Sequence, residues 1–219
     1  MRKIFVDLEM NPIDRTYVKE RETCTMETIE IGAICLGEDN QEIGNFCEYV
    51  KPQYSEAIQP KYEKLTGITT DMVAGASPFR EVLARFAAWC GEEPYTVWSW
   101  SDSDIWQILK ETDLKKIPDT SEVKYMLNHW RDFQQEFGSM MHITKAMKLE
   151  KAVSLAGLDF AGRAHDGLTD ARNTAYLYQK TQDKEEFKKL QDIVADAFSP
   201  HRFTMGDVFN FGNLNLPKG

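Results

Sequence analysis

What the chain lacks narrows the field first. Its four cysteines, Cys24, Cys35, Cys47 and Cys90, include no C-x-x-C pair. Neither a zinc knuckle nor a redox couple is on offer, and most of the four are expected to be reduced, buried thiols. No run of roughly 18 apolar residues is present to cross a bilayer. The opening Met1-Arg2-Lys3-Ile4-Phe5-Val6-Asp7 sets a carboxylate where a secretory leader requires an apolar stretch. The expectation is therefore a soluble, cytoplasmic protein with no membrane partner. Positive charge is scarce too: 26 Lys and Arg stand against 35 Asp and Glu, a formal net charge of −9. That balance argues against coating long nucleic acids by charge. Phosphate chemistry stays open, because divalent cations held by carboxylates reverse the local field. Internal repeats and low-complexity segments are absent as well.

What is present is 219 residues with 42% hydrophobic side chains, enough for one core. One domain over residues 1–200 and a tail over 201–219 are expected. Residues 3–10 run apolar through Ile4, Phe5, Val6 and Leu8 and read as a buried first strand, followed by a polar loop over 11–25. Strands over 28–36 and 42–50 flank Gly37-Glu38-Asp39-Asn40-Gln41, which has hairpin-turn composition, so a three-strand antiparallel unit is expected. After a connection over 52–60, Phe79, Val82, Leu83, Phe86 and Trp89 fall on one face of a helix over 78–90. A strand over 95–100 precedes a helix over 103–111, and further helices fit 132–137, 147–156, 168–182 and 184–197. A meander followed by strand–helix alternation predicts an α/β fold with a central mixed sheet flanked by helices. His201, Phe203, Phe209 and Phe211 in the tail read as packing residues.

Three carboxylate settings carry chemistry. Asp7 and Glu9, two apart on a strand, leave the same face and can converge on one hard cation. A D-x-E pair alone is more often solvated, but on so apolar a strand buried carboxylates need a cation or a partner. Asp104 opens a helix after a strand, where it either caps the helix or faces a pocket, and Asp102 competes for either role. In His165-Asp166-Gly167-Leu168-Thr169-Asp170, Asp170 sits in the early turns of an amphipathic helix. A histidine just before it, with an ordinary pKa of about 6.5, can take a proton from water near neutral pH. By itself that spacing describes a capped helix beside a surface histidine.

Taken in order, Phe5-Val6-Asp7-Leu8-Glu9, Leu65-Thr66-Gly67-Ile68-Thr69, Ser101-Asp102-Ser103-Asp104 and His165 to Asp170 resemble the DEDDh 3′→5′ exonucleases. The passage from Gly157 through Arg163 to Asn173 resembles the branch of histone-mRNA and small-RNA exonucleases and their bacterial sporulation-associated relatives. The likeness runs over about residues 3–182. It implies a ribonuclease H-like fold, and Asp7, Glu9 and Asp170 as direct ligands of two divalent ions, Mg²⁺ or Mn²⁺. Asp104 would assist through water and His165 would be the general base, with Asp104 favoured over Asp102.

The resemblance further implies that backbone around Met10 and the Leu65-Thr66-Gly67 turn holds the terminal nucleotide. Arg163 is a candidate phosphate contact. The partners implied are single-stranded RNA or DNA 3′ ends, with 5′-mononucleotides as products and activity rising from about pH 6 to 8. RNA or short oligonucleotides are the favoured substrate. A DNA proofreading or repair-type exonuclease, or a non-catalytic module binding nucleic-acid ends or a protein, are the alternatives. The chain departs from the family pattern at Met10-Asn11, and at Ser103, which stands where relatives often carry an aromatic residue. Trp100 and Trp106 are the nearby aromatic substitutes.

Overall fold

The computed structural model describes residues 1–91 and 94–198, so the tail at 201–219 and its aromatic residues lie outside the described residues. The first strand, β1 (Arg2–Pro12), pairs antiparallel with β2 (Met26–Leu36), and β2 pairs antiparallel with β3 (Glu42–Lys51). This is the expected meander. The strand β5 (Tyr95–Ser99) then runs parallel to β1 on its other side. With β4 (Ser77–Pro78) and β6 (Trp130–Asp132) at the two edges, the six strands lie in the order β4-β3-β2-β1-β5-β6, a mixed sheet.

Alternation along β1 sorts its side chains into two cores. Ile4, Val6 and Leu8 join Ile31, Ala33 and Val97 under Val82, Leu83 and Phe86 of α4 (Phe79–Cys90). Phe5 points the other way and packs with Ile34 and Trp98 under Ala171, Ala175 and Tyr178 of α9 (Gly167–Gln182). Helices thus cover both faces, which explains why β1 is nearly continuously apolar. Asp7 and Glu9 share the Phe5 side, beneath the start of α9.

Several elements exceed the sequence reading. The loop over 11–25 contains a single helical turn, α1 (Glu20–Thr23), and the region after residue 52 contains α2 (Pro60–Thr66) and α3 (Thr70–Ala74). A further helix, α6 (Ser121–Asn128), precedes β6. All are eight residues or fewer, too short for apolar periodicity to show. Their caps carry the signal instead: Pro60 at the start of α2 with left-handed Gly67 after it, and Thr69 and Thr120 accepting the Met72 and Val123 N–H groups. The other helices match their predicted spans to within about three residues: α5 (Ser103–Leu114), α7 (Phe133–Met140), α8 (Leu149–Leu155) and α10 (Lys184–Phe198).

Candidate active site

Close approach of two glycines seats α9 on the sheet. Gly32 of β2 is the register partner of Asp7, and a Cβ on it would overlap the backbone of Gly167 and Leu168. Gly167 in turn lies so near the sheet that its own Cβ would meet the Asp7 carbonyl oxygen at 3.1 Å. Only hydrogen at both positions lets the helix start directly over β1 and β2. Glu30, buried opposite Glu9 in the ladder, accepts the Gly167 N–H at 3.1 Å and the Cys47 S–H at 3.2 Å. A carboxylate there also complements the positive end of the helix dipole. Asp166 caps the helix by accepting the Thr169 N–H at 2.9 Å. The loop before it is tied down by Asn173, whose amide bonds both the N–H and the carbonyl of Ala161.

This docking carries Asp170, one turn into α9, to the carboxylates of β1. Asp7, Glu9, Asp104, His165 and Asp170 all line one cavity of about 400 Å³. Within it, a carboxylate oxygen of Glu9, one of Asp170 and a ring nitrogen of His165 lie within 4.8 Å of one another. Asp170 Oδ2 accepts the His165 N–H at 3.1 Å, which fixes the histidine in a left-handed conformation with φ 62°. The other oxygen, Asp170 Oδ1, is buried and has no hydrogen-bond partner. A buried anionic oxygen without a partner is costly unless a cation meets it. Asp7 and Asp104 line the same cavity but are not part of that 4.8 Å cluster; two converging carboxylates and an imidazole, with two more carboxylates in the wall, are a donor set suited to hard divalent ions, so these residues fit the metal that the resemblance implies.

The electrostatics agree. Burial pushes the Glu9 carboxyl up to about 8, and the charges of Asp170, Glu30, Asp104 and Asp166 push the same way. Asp7 is raised well above the ordinary carboxylate range by burial, then by Asp104, Glu9, Asp170 and Glu30. Burial lifts Asp170 to about 7 against the His165 N–H that stabilises its anion. It lifts Asp104 to about 7 as well, against the Leu8 N–H donated to Oδ1 at 3.0 Å. Like charges crowded out of water oppose ionisation, and a cation among them restores it.

The Asp102 and Asp104 ambiguity resolves by direction. Asp104 is buried and lines the cavity, whereas Asp102 is exposed and accepts the Trp106 indole N–H at 3.2 Å. Met10 and Trp100 also line the cavity, and the Trp100 indole donates to the Met147 carbonyl at 2.9 Å. Trp106 does not line it, and Ser103 contributes a hydroxyl hydrogen-bonded to Ser101 at 2.6 Å. Leu65, Thr66 and Gly67 are not in the cavity wall but form the end of α2, with Gly67 at φ 79°. Arg163 has a structural role here. Its guanidinium donates to the carbonyls of Lys64 at 2.7 Å and Leu65 at 3.0 Å, clamping that turn to the His165 loop rather than reaching into the cavity. Glu30, Gln134, Lys148 and Glu150 had not been singled out from sequence. For Glu30 a signal existed: it lies two residues before Gly32, on the same face of β2.

A family model described as Exonuclease (RNase T) matches residues 4–178. ERI1 exoribonuclease 2 of Danio rerio is 31% identical over 199 residues, covering 81% of this chain and 34% of its own length. The 3′-5′ exoribonuclease 1 of Homo sapiens is 28% identical over 158 residues, covering 69% of this chain and 45% of its own. The chain therefore spans between a third and a half of the length of these two relatives. Among solved structures, the nuclease domain of 3′hExo, a DEDDh family member bound to rAMP, aligns with a TM-score of 0.70 and 23% identity over 84% of this chain and 94% of that one. Cell-death related nuclease 4 aligns at 0.69 with 20% identity over 83% and 63%. At such identities the likeness establishes the fold, the expected ribonuclease H-like mixed sheet between helices.

Proposed function

Since the chain belongs to the RNase T family of exonucleases, we propose that it is a metal-dependent 3′→5′ exonuclease acting on single-stranded RNA or short oligonucleotides and releasing 5′-mononucleotides. The observation that carries this reading is the meeting of Glu9, Asp170 and His165 within 4.8 Å, with a buried Asp170 oxygen that nothing in the protein satisfies. RNA is favoured because the curated relatives bear the name exoribonuclease.

Asp7, Glu9 and Asp170 would hold Mg²⁺ or Mn²⁺, with Asp104 supporting from the cavity wall. Divalent ions bound there supply Lewis-acid neutralisation of charge on the phosphate and the leaving oxygen. The protein's own part is positioning and proton transfer. Asp104 takes the Leu8 N–H, which fixes the strand between Asp7 and Glu9. Asp170 takes the His165 N–H, which fixes the imidazole at the cavity mouth, where it accepts the proton of the attacking water. His165 is exposed, so its proton passes on to solvent. Met10, on β1 just past the register shift after Glu9, offers backbone to the terminal nucleotide.

The test uses 5′-labelled RNA and DNA oligomers with free, blocked or base-paired 3′ ends, incubated with Mg²⁺ or Mn²⁺. A ladder of products shortened from the free 3′ end, with 5′-mononucleotides released, is expected. Cleavage of 3′-blocked strands at internal positions would overturn the proposal.

A further inference from the structure

The cavity continues past its acidic floor. Gln134 and Ala146 wall it and also wall a second cavity of about 400 Å³, so the two adjoin and are taken together as one groove. The second part is lined by Gln135, Ser139, Thr144 and Lys145, with no aromatic ring among its lining residues. Its lip is fixed backbone. The Met147 carbonyl accepts N–H groups from Trp100 at 2.9 Å and Gln134 at 2.7 Å, and the Ile143 N–H donates to Gly138 at 2.9 Å.

Lys148 lies on the wall of the first cavity and Lys145 on that of the second. Both are exposed, and neither has an ion-pair partner among the described residues. Two unpaired ammonium groups in succession, amid amides and hydroxyls and without a stacking surface, suit a phosphodiester backbone rather than bases. The groove also leaves the site in one direction. It follows α7, which packs against β5, whereas the 65–67 turn sits with Ile68 against Ile29 of β2, on the other side of β1.

We propose that this groove carries the strand upstream of the 3′-terminal nucleotide, with successive phosphates over Lys148 and Lys145. The proposal rests on the exonuclease reading above. Its ligand is a single strand of several nucleotides, recognised by its phosphates and without regard to base sequence.

Matched RNA and DNA oligomers, from dinucleotide to decamer, distinguish the possibilities through kcat/KM measured across a salt series. For the wild type, kcat/KM should climb with length and then level off. Each phosphate contact on a single strand contributes about 0.7 to the slope of log affinity against log salt. K145A/K148A should therefore lower the decamer slope by about 1.4, so that a fourfold rise in salt weakens the wild type about sevenfold more than the variant. The effect should be the same on RNA and DNA and smaller on the dinucleotide. Arg80→Ala, at an exposed position in α4 on the opposite face of the sheet, should leave the slope unchanged. An unchanged slope in K145A/K148A, or wild-type kcat/KM equal for dinucleotide and decamer, overturns the groove and leaves the exonuclease reading standing. Failure of the wild type to shorten any oligomer overturns that reading and the groove with it.

Discussion

Replacing Asp170 by asparagine should make the metal-free protein more stable above neutral pH while destroying its ability to bind cations. Burial raises the Asp170 carboxyl from an ordinary 3.8 to about 7. At pH 8 the folded protein must ionise it against that burial, whereas the unfolded chain ionises it freely. Each tenfold change in proton affinity is worth about 1.4 kcal/mol, so the ionised side chain destabilises the folded state by roughly 4 kcal/mol at most. The carboxylate borders an open cavity, and water there reduces the figure to about 1–3 kcal/mol.

Asparagine removes the charge yet keeps an oxygen to accept the His165 N–H. For a domain of this size the gain corresponds to a Tm increase of roughly 3–10 °C at pH 8 in EDTA. The sign follows from a folded pKa above the unfolded one: the native state binds the extra proton, so the wild type loses stability as pH rises toward 7. The difference between wild type and variant should shrink toward zero near pH 4. Mn²⁺ should raise the wild-type Tm by mass action and leave the variant unmoved. Thermal melts at both pH values, with EDTA or with Mn²⁺, decide the matter. A variant less stable than wild type at pH 8 in EDTA, or a Mn²⁺ shift equal in both proteins, would refute the reasoning.

The same carboxylates predict that cation binding expels protons. With Glu9 pushed up to about 8 and Asp104 and Asp170 to about 7, Mn²⁺ affinity and turnover should climb together between about pH 6 and 8. Calorimetry in buffers of different ionisation heat measures the protons released, and a count of zero at pH 6.5 contradicts the assignment. His165→Ala should lower kcat by about 10²- to 10⁴-fold, with little change in melting temperature because the side chain is exposed. Single-turnover rates equal to wild type would remove histidine from the mechanism. Gly32→Ala should force α9 away from β1, since the added methyl meets the Gly167 and Leu168 backbone. A loss of about 1–3 kcal/mol and weaker Mn²⁺ binding are expected, read by denaturant titration and calorimetry.

The sequence made the central strands and long helices legible because their apolar spacing is repeated often enough to be unambiguous. Residues Ile4 to Leu8 and the α9 stripe of Ala171, Ala175 and Tyr178 are such cases. The elements from Pro60 to Ala74 and from Ser121 to Asn128 were hidden because each turns only once or twice and shows few buried residues. In the site, Asp7 and Glu9 could be recognised by their shared strand face. Local chemistry left Asp104 and Asp102 tied, since it does not say which side of α5 meets the cavity, and only the resemblance favoured Asp104. Arg163 shows a contact that local sequence does not announce. Nothing in its neighbours indicated that two carbonyls, 98 and 99 residues earlier, would engage its guanidinium.

The ends of the sheet have a consequence for how copies of this protein meet. The outermost strands are β4, of two residues, and β6, of three. β4 pairs only with Val50 and Lys51, so β3 from Glu42 to Tyr49 has no strand beyond it among the described residues, and its Glu42, Asn45 and Glu48 are the groups that blunt pairing with a neighbouring chain. The long, apolar β1, which would be a hazard at a margin, lies two strands in from one side and three from the other. Charge along the open part of β3, rather than brevity of the margin, discourages lateral zipping into fibrils, and the acidic cleft stays open above the middle of the sheet.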